Sequence, residues 1–199
     1  MFQKRRLLSK ASAGFTLVEL LVSLGIFAVV TALVLMKHQS FSGGILLTNL
    51  AYETALTVRR AQSFGINVKG QGPVFDIWYG VHFDRSKPTE FLLFADSNKN
   101  TTYEGTGACD GIDTADECFE KVLIKRNMSF NQLCIAGPSA EDCNRNIINI
   151  IFKRPDPEAR IYDNDVPGTA YGSVKIVLVA SDGRSKNVVV RKTGQISVE

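Results

Sequence analysis

The feature that most constrains this chain is a run of 22 residues, Phe15 to Met36, whose only ionisable side chain is Glu19. In helical geometry the run is about 33 Å long, close to the hydrocarbon thickness of a bilayer. It therefore reads as a transmembrane helix carrying one carboxylate near its start. Such a group costs on the order of 2.5 to 3.5 kcal/mol at mid-bilayer and less toward an end, so it calls for a partner. A cleaved secretory signal has a shorter apolar region followed by small residues, whereas here Ala11, Ser12, Ala13 and Gly14 precede the run. Lys4, Arg5, Arg6 and Lys10 hold the N-terminus on the cytoplasmic side, which directs the rest of the chain outward as a single-pass protein of the cytoplasmic membrane.

The stretch "GFTLVELLVSLGIFAVV", preceded by "MFQKRRLLSKASA", resembles the N-terminus of type IV prepilins and pseudopilins. The resemblance implies a leader, residues 1–14, removed by a membrane-embedded prepilin peptidase that cuts between Gly14 and Phe15 and methylates the new N-terminus at Phe15. It also implies a role for Glu19 in subunit assembly, paired with the α-amine of a neighbouring subunit so that neither charge stands alone in hydrocarbon. The partners implied are the peptidase, other pilin or pseudopilin subunits, an inner-membrane assembly platform and the lipid bilayer. The function implied is that of a minor pilin or pseudopilin, priming or joining a type IV pilus or a type II secretion pseudopilus.

Removing residues 1–14 takes away four cations and no acids, so the formal net charge falls from +3 to −1. The basicity belongs to topology and gives no reason to expect a nucleic-acid partner. After the membrane run, residues 37–66 continue the helix in amphipathic form. Lys37 and His38 suit an exit at the membrane interface, and Gly43-Gly44 predicts a kink or melted turn, since each Gly costs roughly 1 kcal/mol against Ala. Beyond them Leu47, Leu50, Ala51, Thr54, Val58 and Ala61 share one face at 100° per residue, with Glu53, Arg59 and Arg60 off it. Gly65 and Gly70-Gln71-Gly72-Pro73 end the helix.

Residues 67–199 change period. "VFDIWYGVHF" places Phe75, Ile77, Tyr79, Val81 and Phe83 on one face of a strand and Asp76, Trp78 and His82 on the other. Further strands are predicted at 91–95, 121–126, 147–153, 173–180, 187–192 and 195–198, the last three joined by Asp182-Gly183 and Thr193-Gly194 as hairpin turns. The fold class expected is α+β, a long helix packed on an antiparallel sheet. The helix exit "LAYETALTVRRAQSFGINV" and the closing "VKIVLVASDGRSKNVVVRKTGQISV" are similar to the minor pseudopilin H and FimT-like group.

Four cysteines lie between, Cys109 with Cys118 and Cys134 with Cys143, each pair spaced by eight residues. Zinc ligands are usually two to four residues apart, so two disulfides closing local loops are expected, although four cysteines permit three connectivities. Asp96, Asn98, Asn100 and Glu104 fall at positions one, three, five and nine of a calcium loop. Thr101 and Gly107 stand where that loop wants Gly and a bidentate Glu, which favours an Asx-rich turn and no cofactor. His38 and His82 lie far apart without a nearby carboxylate or cysteine cluster, and no nucleophile or phosphate-loop motif is present, so no enzyme and no metal site is expected. Arg184, Lys186, Arg191 and Lys192 would be the phosphate contacts of a DNA-uptake pilin. Gln195, Glu199 and the absence of aromatics after Tyr171 argue against DNA. An exported enzyme or binding domain on a simple signal anchor is the competing class.

Overall fold

The computed structural model describes residues 14–67, 77–107, 109, 116–137, 140–164 and 171–199, with 36–42 as backbone only. Among the described residues one helix, α1, runs from Leu17 to Ile66. Two compact units divide along it, the second beginning at Gly43.

In the first unit α1 supplies one stretch, Leu17–Leu35, that is long and apolar enough to cross a membrane, with mean hydropathy 2.5 and none of it buried within the protein. In the second unit, Gly43–Glu199, the expected stripe is buried. Leu47, Leu50, Ala51, Thr54, Val58 and Ala61 are each no more than 4% exposed, while Glu53, Arg59 and Arg60 face solvent.

The melted turn expected at Gly43-Gly44 is not found, because both glycines are within the helix. Their missing side chains serve packing instead. The Arg184 guanidinium lies over the pair, and a Cβ built on Gly44 would come within 2.6 Å of Arg184 Nη1.

Among the described residues ten strands follow: β1 (Trp78–Asp84), β2 (Glu90–Asp96), β3 (Cys118–Leu123), β4 (Met128–Ala136), β5 (Glu141–Asp142), β6 (Ile147–Lys153), β7 (Asp156–Asp163), β8 (Ser173–Ala180), β9 (Ser185–Arg191) and β10 (Ile196–Val198). They form two antiparallel sheets rather than one, ordered β3-β2-β1-β6-β7 and β10-β9-β8-β4-β5. The α+β class is as expected. Tyr79, Val81 and Phe83 are buried along β1, with Trp78 and His82 half-buried on the alternate positions; Phe75 and Asp76 lie outside the described residues. The closing meander β8-β9-β10 turns at Gly183 and Gly194, whose φ values of 84° and 83° are left-handed and suit glycine.

The principal core lies where α1 meets both sheets. Val81, Phe83, Phe91, Leu93, Ile148, Ile150 and Phe152 come from the first sheet, and Phe130, Leu133, Ile135, Val174, Ile176, Val188 and Val190 from the second. Helix α1 is tied on both flanks. Arg60 forms a bidentate pair with Glu120 of β3, at 3.0 and 2.5 Å. On the other side Gln62 Nε2 donates to the carbonyls of Pro157 and Gly194, at 2.9 and 3.1 Å.

Candidate processing and assembly site

The helix begins with its own cap. Thr16 precedes Leu17, and its hydroxyl oxygen accepts the Glu19 N–H at 3.2 Å, while its carbonyl accepts the Leu20 N–H at 3.1 Å. Thr16-Leu17-Val18-Glu19 is thus an N-cap followed by an acid at the third helical position, the T-x-x-E pattern of a capping box. Reading Glu19 only as a membrane charge overlooked that signal, which the sequence carried. The carboxylate also stands at the positive end of the helix dipole. If the helix start lies in a bilayer, the first-turn N–H groups have no water to turn to, and the cap matters more there than on a soluble helix.

No described residue packs around this start. A Cβ at Gly14 would meet open space, Phe15 is 76% exposed, and among the described residues no cation pairs with the exposed Glu19 carboxylate. Among the described residues nothing packs against Gly14, Phe15 or the Glu19 carboxylate. Farther along, Ser23 Oγ donates to the Glu19 carbonyl and Thr31 Oγ1 to that of Phe27, both at 2.7 Å, which hides the two hydroxyls within the helix.

The other predicted residues fall into separate places. Cys109–Cys118 and Cys134–Cys143 are disulfides, each closing its local loop. The second lies beside Glu141, a grouping of metal-ligand types, but both sulfurs are committed to the bond.

The acidic loop is wired internally. Asp96, fully buried, accepts the N–H groups of Asn100 and Thr101 at 3.1 and 3.0 Å. Asn98 and Asn100 both donate their amide N–H to Glu104, at 2.9 and 2.8 Å. Glu117 accepts from the Ser97 and Glu104 backbones. Burial raises the carboxyl groups of Asp96 and Glu117 above their ordinary values. The loop's visible work is to carry Tyr103 over the outer face of the first sheet, against Phe94 and His82. Desolvation, with Asp116 adjacent, pushes the Tyr103 phenol up to about 12.

His82 is half-buried and its Nδ1 lies 2.7 Å from Asn149 Oδ1. Since the Asn149 amide nitrogen donates to Asn164 Oδ1, its oxygen is the acceptor and His82 Nδ1 carries the proton. Burial lowers the His82 pKa, which favours that neutral form. His38 is within the backbone-only segment.

The four basic residues do not share one surface. Arg184 and Lys186 sit at the start of β9, with Arg184 paired to Asp182, whereas Arg191 and Lys192 sit at its end, about 20 Å away at strand rise. Arg191 also has the opposite strand parity from Lys186, Val188 and Val190.

Residues 9–35 match the family described as prokaryotic N-terminal methylation motif. No curated protein and no solved structure gives a significant match to the chain. The matched segment takes in Gly14, Phe15, the Thr16–Glu19 cap and the whole uncovered apolar stretch, and it supports placing this chain with the type IV pilin and pseudopilin superfamily, as a membrane-anchored protein processed by prepilin peptidase.

Proposed function

We propose that this chain is a minor pilin or pseudopilin subunit, cut between Gly14 and Phe15, methylated on the Phe15 amine, and built into a filament through Glu19. The observation that carries the reading is the methylation motif over residues 9–35, which takes in a capped helix start that no described residue covers. The helix exit and the β8-β9-β10 meander support the finer assignment to the pseudopilin H and FimT-like group. In this role the head is a structural element and needs no catalytic chemistry or cofactor. Glu19 pairs with the methylated amine of an adjacent subunit, where two charges costly alone in lipid neutralise one another.

The direct test is pulse labelling in cells with and without the prepilin peptidase, followed by N-terminal mass spectrometry. The expected product begins at Phe15 and carries one added methyl group, only where the peptidase is present. A chain uncut in both backgrounds would overturn the proposal and favour a signal-anchored domain. Glu19→Ala should be inserted and cut normally, yet be depleted from purified filaments; normal incorporation would remove the pairing role while leaving processing intact.

A further inference from the structure

Three turns meet at the end of the head where α1 enters it: residues 85–89 between β1 and β2, 124–127 between β3 and β4, and 181–184 between β8 and β9. They are joined by backbone. The Ile124 N–H donates to the Thr89 carbonyl at 2.8 Å, the Phe130 N–H donates to Pro88 at 3.0 Å, and Met128 pairs with Ala180. Arg184, from the third turn, lies over Gly43 and Gly44.

These turns carry Arg85, Lys87, Lys125, Arg126 and Arg184 against a single acid, Asp182, which Arg184 occupies. Lys87, Lys125 and Arg126 are exposed and Arg85 is half-exposed; among the described residues no carboxylate forms an ion pair with these four. The flanking acids are already engaged, Asp84 by the Ser86 N–H and Glu90 by Lys121. Arg126 holds a φ of 64°, a left-handed conformation that Gly or Asn would adopt more readily, so local backbone preference does not account for an arginine there. The opposite ends of β2 and β3 carry the acids Asp96, Glu104, Asp116 and Glu117. The Gly43 end of the head therefore gathers a cluster of cations that no described carboxylate pairs with.

Chain connectivity supplies the partner. Gly43 follows Leu35, the last residue of the apolar stretch, by eight residues, which reach no more than about 28 Å even when fully extended. We infer that this basic end is a docking surface for the anionic headgroups of the leaflet from which α1 emerges. The tether holds the bilayer at high local concentration, and cations near an acidic lipid surface are attracted individually and additively. Nucleic acid fits less well, because none of the three turns contains an aromatic residue to stack on a base. The inference goes beyond subunit assembly: before a filament forms, the head is held against its membrane rather than swinging freely on the helix.

The test uses the full chain in nanodiscs of phosphatidylcholine alone and in discs with about 30% phosphatidylglycerol, read by amide hydrogen exchange. Exchange in the three turns should be about tenfold slower in the anionic discs, and the slowing should vanish at high salt. The combined variant Arg85→Gln, Lys87→Gln, Lys125→Gln and Arg126→Gln should abolish it while β8 amides stay protected. Lys192→Gln, at the far end of β9, should leave it unchanged. Equal exchange of the wild-type turns in both kinds of disc would overturn the proposal whatever the variant does, as would protection by duplex DNA but not by acidic lipid.

Discussion

The two parts of α1 look unlike each other and meet the same physical demand. From Leu17 to Leu35 the helix is apolar on every side apart from Glu19 and a few hydroxyls, and none of it is buried; from Gly43 onward it is apolar on one face only, and that face is buried. One part has lipid for a solvent and the other has its own sheets. Yet both hide their hydroxyls in the same way. Ser23 and Thr31 donate to the carbonyls four residues back, and so do Thr48, Thr54 and Thr57. Neither hydrocarbon nor a packed core offers water, so in both the helix backbone becomes the acceptor. Periodicity tells the two environments apart, and polar bookkeeping shows what they share.

The sharpest way to break this comparison is a pair of matched truncations. Leu50→Ala, at a site 4% exposed, should destabilise the head by about 2 to 5 kcal/mol, because the sheets close only partly over the cavity. Leu24→Ala, at a site 60% exposed, should shift head unfolding by no more than about 0.5 kcal/mol. Near-ultraviolet circular dichroism of the full chain in micelles would read both, and comparable losses would mean that the apolar stretch is packed rather than solvated by lipid.

A smaller effect is expected at the helix start. Thr16→Ala removes the cap and should cost about 1 kcal/mol locally, seen as roughly fivefold faster exchange of the Glu19 amide. Unchanged exchange would show that lipid headgroups or water already satisfy that N–H.

The smallest effects test the shared device itself. Thr54→Val and Thr31→Val each delete a hydroxyl bonded to a carbonyl that keeps its helical partner, so each should change local stability by less than about 1 kcal/mol. A large loss at Thr54 alone would show that burial in protein and in lipid are not equivalent for this group.

Much of the fold was legible because it rests on period. The change from 3.6 to 2 located α1 and most of its partners, and the Asp-Gly and Thr-Gly turns drew the final meander. What was not legible came from pairing. In β4 a register shift between Phe130 and Gln132 breaks the alternation a strand would show. In β7 the run Asp156-Pro157-Glu158 looks like a loop, and it becomes an edge strand because apolar β6 lies alongside it. The division into two sheets depends on which strands find each other, which no single segment encodes. At Gly43-Gly44 propensity pointed to a break, but the contact that fills the space comes from Arg184, far away in sequence. At the candidate site Glu19 stood out as the one charge in an apolar run, and Gly14 and Phe15 through the resemblance to prepilins, whereas the role of Thr16 required seeing where the helix begins.

The two disulfides have a consequence for biosynthesis. Each joins cysteines nine positions apart, and the four half-cystines pair in the order in which they leave the ribosome, first with second and third with fourth. Neither ring waits for a distant segment, so oxidation can accompany emergence of the chain, with no crossed bond to be undone before β8, β9 and β10 arrive to complete the second sheet.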